Sequence, residues 1–93
     1  MKILLEDHAT KGRAHYSPSG NTLAEMTYSK AGDTLLIIDH TDVAPELKGQ
    51  GVGRMLLHKI VGHARTNKLR IMPLCPFAKS VFDKDPTIRD VLK

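Results

Sequence analysis

An α+β domain with a largely antiparallel mixed sheet, one crossover helix and short C-terminal helices is the fold class this sequence predicts. Three observations carry the prediction. The first 39 residues alternate with the period of strands, and from Val52 the apolar spacing becomes that of a helix. A short apolar stretch after that helix can then rejoin the sheet only through a parallel, right-handed crossover. The chain has 93 residues, enough for one domain, taken as 1–93. Its 41% hydrophobic and 26% charged residues match a folding chain and not a disordered one.

Lys2 to Asp7 reads as an outer strand, with Ile3 and Leu5 on one face and Leu4 and Glu6 on the other. Gly12 to Tyr16 is the next, and Ser17-Pro18-Ser19-Gly20-Asn21 supplies the turn of a hairpin. On its far side Ala24, Met26 and Tyr28 face one way, Glu25 and Thr27 the other, and Ala31-Gly32-Asp33 closes the strand. Thr34 to Asp39 carries Leu35-Leu36-Ile37-Ile38, apolar at consecutive positions. This strand is therefore expected in the middle of the sheet with cover on both faces. Pro45-Glu46-Leu47 makes a short turn. Val52, Met55, Leu56, Ile60 and Ala64 form the buried stripe of the main helix, which Asn67 stops. Leu69 to Met72 is the returning strand, ended by Pro73. Two short helices begin near Pro76 and Pro86, Asp85 capping the second. Their residues Phe77, Val81, Phe82, Ile88, Val91 and Leu92 are expected to cover the sheet face that the main helix leaves open.

Composition narrows the function classes. The longest apolar run, Leu35 to Ile38, is far short of the roughly 20 residues that span a bilayer, and no secretory leader is visible. The single Cys75 forms no internal disulfide and no structural zinc site, so a reducing, cytoplasmic setting is expected. A net charge of +4 lies within what solubility alone requires. Dispersed basic residues, no Trp and few aromatics argue against a nucleic-acid partner. His58 and His63 share the main helix at a spacing of five, unlike a helical metal pair, and no metal site is expected.

Lys48-Gly49-Gln50-Gly51-Val52-Gly53 opens the main helix, where backbone N–H groups lack intrahelical partners. Glycines let an anion approach that backbone, and Lys48 and Arg54 can add charge. A mononucleotide P-loop would need Lys-Ser or Lys-Thr where Arg54-Met55 stands. The dinucleotide fingerprint needs a different glycine spacing and an acidic residue where this chain is apolar. A turn that merely lets the helix pack closely is the remaining local alternative.

Cys75 immediately precedes Pro76, so its sulfur can lie at the positive end of a short helix, which favours a thiolate. An inert buried thiol is the competing reading. His40 leaves the end of the strand that feeds the glycine turn, and its side chain suits proton transfer. It can equally bond a neighbouring carbonyl.

Taken together these segments resemble the Gcn5-related N-acetyltransferases, and within them a minimal single-domain subgroup. The resemblance covers nearly the whole chain. The motif (Arg/Gln)-x-x-Gly-x-(Gly/Ala) falls on Lys48, Gly51 and Gly53, with lysine at the first position. His40-Thr41-Asp42-Val43-Ala44-Pro45-Glu46-Leu47 is similar to the subgroup's H-T-x-V-x-x-E-L, and Pro73-Leu74-Cys75-Pro76-Phe77-Ala78 to its P-x-C-P-(Phe/Tyr)-A. The subgroup's terminal His-Pro-Glu-Tyr is replaced by Asp85-Pro86-Thr87-Ile88, so no histidine role is carried over there. The resemblance implies the acyl-CoA N-acyltransferase fold, with acetyl-coenzyme A as cofactor. It implies a diphosphate held over Gly49, Gln50, Gly51, Val52, Gly53 and Arg54 beside Lys48, pantetheine amides on the backbone of Thr41, Asp42 and Val43, and a thioester near Cys75. The acetyl group would pass to an unidentified amine, either directly with His40 or a water as base or through Cys75. The alternative is a non-catalytic coenzyme A or acyl-coenzyme A binding module that acts through a protein partner. A monomer, or a homodimer formed at the free edge of the first hairpin, is expected.

Overall fold

Alternation in the first half builds four antiparallel strands: β1 (Leu4–Asp7), β2 (Lys11–Tyr16), β3 (Ala24–Ala31) and β4 (Leu35–Val43). The computed structural model describes residues 1–93. A 3-10 turn (Pro45–Leu47) leads to helix α1 (Val52–Asn67), and β5 (Arg70–Pro73) then returns parallel to β4. The sheet order is β1-β2-β3-β4-β5. Helix α2 (Pro76–Lys84) and a 3-10 segment (Pro86–Val91) complete the chain.

The buried face of the sheet is the one the alternation marks. Ala14, Ala24, Met26, Tyr28, Leu36, Ile38 and Ile71 enter one core with Val52, Leu56, Leu57, Ile60, Val61 and Ala64 of α1. Met55 lies outside the stripe, 37% exposed, because Leu57 and Val61 complete the buried arc. Helix α1 ends at Asn67 as expected, and Lys68 adopts the left-handed conformation (φ 57°) that closes it. Asp85 accepts a hydrogen bond from the Thr87 N–H at 2.9 Å, which makes it the cap its sequence suggests.

Two expectations need correction. The strand with the apolar run is second from the edge, not in the middle, and Leu35 and Ile37 remain only half-buried on its outer face. The C-terminal helices do not cover that face. They pack beside α1: Val81, Phe82, Ile88 and Val91 join the same core, and Arg65 of α1 grips Asp90 with bonds of 2.8 and 2.9 Å. The chain leaves β5 at the sheet's edge, on the side where α1 already presents apolar surface, so closure there buries more carbon. The outer face is instead satisfied by charge. Arg13 bridges Glu6 (Nη2–Oε2 2.8 Å) and Glu25 (Nη1–Oε1 3.0 Å) across three strands.

β4 also runs four residues beyond Asp39. Thr27 faces His40 while Tyr28 faces Ile38, so Asp39 is an extra residue, a bulge that resets the alternation. Inward positions thus run Leu36, Ile38, Thr41, Val43, with a step of three in place of two.

Candidate active site

The site begins where two parallel strands part. β5 pairs with β4 from Leu35 to Ile38 only. The N–H groups of Leu74 and Cys75 then both donate to the Ile38 carbonyl, at 3.1 and 3.2 Å, and Pro76 starts α2. Residues 39–43 of β4 consequently have no strand partner on that side.

Cys75 is the N-cap residue of α2, with φ −67° and ψ 127°, and its carbonyl accepts from the Lys79 N–H at 3.0 Å. Its side chain makes no capping bond. The sulfur instead lies 3.1 Å from Thr41 Oγ1, and the residue is 5% exposed. Thr41 faces inward because it stands opposite Met26. Sequence reading singled out this threonine for its backbone alone. The missed signal is the irregular inward spacing across Asp39-His40, two polar residues in succession after Ile38.

His40 is not brought to Cys75. It stands opposite Thr27 on the outer face, exposed, and its ring makes no hydrogen bond; only its carbonyl is approached, by Thr27 Oγ1 at 3.5 Å. Asp42, opposite Glu25, shares that outer face. Asp39 does too, accepting from Ser29 Oγ at 2.6 Å. The bulge therefore sorts the polar residues of the strand's end into two sets, Thr41 with the thiol and His40 with the carboxylates.

The glycine turn has the backbone an anion requires. Gly49 (φ 82°) and Gly51 (φ 72°) are both left-handed, with nothing within 4 Å of where a Cβ would stand. The first bond of α1 runs from the Met55 N–H to the Gly51 carbonyl. The N–H groups of Gly49, Gly51, Val52, Gly53 and Arg54 donate to no protein acceptor. Five such donors around one helix start can accept an anion. The flanking side chains contribute less: Lys48 is exposed, and Gln50 Nε2 bonds the Glu46 carbonyl at 3.3 Å. Arg54 is drawn to Asp85, Nη2–Oδ2 3.7 Å. The Thr87 hydroxyl and N–H hold the Asp85 carboxyl below the usual aspartate value, and Arg54 and His58 add to this.

Gly53 has a different task from its neighbours. It is buried, and a Cβ there would lie 2.6 Å from Cζ of Phe77. This glycine admits an aromatic ring from α2.

A family model described as GCN5-related N-acetyl-transferase matches residues 5–91. Among solved structures, a GCN5-like candidate N-acetyltransferase from Staphylococcus aureus is 39% identical, with a TM-score of 0.73 over 97% of this chain and 87% of that one. A ribosomal-protein-alanine N-acetyltransferase from Brucella melitensis shares the fold at 13% identity, TM-score 0.68, over 83% of this chain and 62% of that one. Nourseothricin acetyltransferase matches at 28% identity and TM-score 0.52, over 68% of this chain and 38% of its own. No curated protein matches the sequence significantly.

Proposed function

This chain belongs to the GCN5-related N-acetyltransferase family, and from that premise we propose that it uses acetyl-coenzyme A to acetylate an amine, with Cys75 at the reacting end of the site. The observation that carries the reading is the set of five undonated N–H groups at the start of α1, on a turn whose two left-handed glycines leave the approach open. They would hold the diphosphate through backbone amides, with Lys48 adding charge from its rim. The unpaired edge of β4, at Thr41, Asp42 and Val43, would pair with the amides of the pantetheine arm as an added strand does. The bound cofactor supplies an acetyl group activated as a thioester.

Two routes divide the residues. In one, the Cys75 sulfur gives up its proton and bonds the acetyl carbon as the coenzyme A sulfur leaves with a proton, and the amine then displaces Cys75. Thr41 Oγ1 at 3.1 Å supports this route by fixing the direction of the sulfur. In the other, the amine attacks the thioester directly, His40 or a water takes its proton, and the C–S bond breaks to release coenzyme A as the thiol. His40 faces away from the thiol, which favours a water as the base of this second route.

Calorimetric titration with coenzyme A tests the reading. Heat of binding that disappears in Gly51→Val is expected. No heat and no competition at millimolar coenzyme A would overturn it.

A further inference from the structure

We propose that Phe77 is a positioning residue for the cofactor: its ring, lodged on Gly53, spaces the N-terminus of α2 from that of α1 and so sets how the arm between diphosphate and thioester is seated. The inference rests on the functional reading above. The two halves of the candidate site lie on different elements, the amide cradle at the start of α1 and the thiol at the cap of α2. One side chain joins them directly. Phe77 follows Cys75 by two residues, and Gly53 follows Gly51 by two. Cζ and Cε2 of the ring would stand 2.6 and 2.7 Å from a Cβ on Gly53, so the ring tip rests on the helix backbone itself. No other residue at position 53 allows that approach.

The ring is not simply core. Phe77 is 40% exposed while Ala78, Val81 and Phe82 of the same helix are buried. Leu74, on the other side of Cys75, is 62% exposed. Two uncovered apolar side chains therefore flank a buried thiol. A methylene-bearing arm that ends in a thioester gives them a reason to be apolar. The loss on truncating the ring should thus fall on the arm and not on the diphosphate.

Two probes separate these ends: whole coenzyme A, and its nucleotide half, the phosphorylated adenosine diphosphate that lacks the pantetheine arm. Wild type should bind both. Phe77→Ala should weaken coenzyme A about tenfold and leave the nucleotide half within about twofold. Gly53→Ala should also weaken coenzyme A about tenfold, because its methyl displaces a side chain that has room to swing outward. Adding Phe77→Leu to Gly53→Ala, which trades ring tip for methyl, should restore coenzyme A binding to within about threefold of wild type, a non-additive result. Equal weakening of both probes by Phe77→Ala, no weakening of either, or additive losses of coenzyme A binding in the double variant would each overturn the proposal while leaving the functional reading standing. A wild-type protein that binds neither probe would overturn both.

Discussion

Cys75 meets the inner face of the end of β4 through Thr41, and His40 stands on the outer face; each makes a separate prediction. After incubation with acetyl-coenzyme A and rapid quench, intact mass should rise by one acetyl group in wild type and in His40→Ala, and not in Cys75→Ser. A wild type without the adduct would leave only the direct route. Gly51 makes another. Its φ of 72° suits glycine and, among larger residues, asparagine. Gly51→Asn should keep the turn and unfold within about 1 kcal/mol of wild type, whereas a β-branched valine there costs about 1–3 kcal/mol of backbone strain. The residue types at the site were legible in the sequence, Cys75 before Pro76 and the glycines before a helical period. Their pairing was not, because which side chain meets the thiol depends on a bulge, and Asp39-His40 looks like ordinary strand until its partner is known.

The elements were legible wherever local chemistry stops the chain. Pro76 and Pro86 open the two C-terminal segments, Asp85 caps the second, and α1 ends at Asn67. What the sequence withheld was which face these segments choose, since an apolar stripe tells that a helix packs and not where. The closure of α1 still offers a test. Lys68 is the one non-glycine residue with positive φ. Glycine there removes about 1–2 kcal/mol of left-handed strain and costs about 0.5–1 kcal/mol in the unfolded chain. Lys68→Gly should therefore stabilise the protein by about 0.5 kcal/mol, read as a rise in melting temperature.

At the scale of the whole molecule, one polar cluster ties three parts together. Tyr28 of β3 donates its hydroxyl to Asp7 of β1, Lys30 Nζ lies 3.0 Å from the same carboxylate, and His63 of α1 stands 3.5 Å away. Burial alone would raise the Asp7 pKa, but the bonds from Tyr28 and Lys30, with the charges of Lys30 and His63, outweigh it and hold the carboxyl below its usual value. Burial, and then the neighbouring carboxylate, push the Tyr28 hydroxyl up. A depressed carboxyl contributes stability above its unfolded pKa, near 3.8, and loses it as pH falls through the lower folded value. Acid unfolding should show this loss below about pH 4, and Asp7→Asn should be less stable at neutral pH with a flatter acid limb. The arrangement draws on three elements distant in sequence, which is why alternation marked Tyr28 as core without naming its partner.

The bulge at Asp39 also determines what a shortened chain would do. An extra residue bends its strand and increases the local twist. Deleting Asp39 would leave His40 outward and Thr41 inward, since the regular alternation then resumes of itself. Yet the strand would lose its kink and added twist, and Thr41 would meet the cap of α2 at a different angle. Such a deletion should fold with each side chain facing as it now does, and move the threonine hydroxyl away from the thiol it now meets.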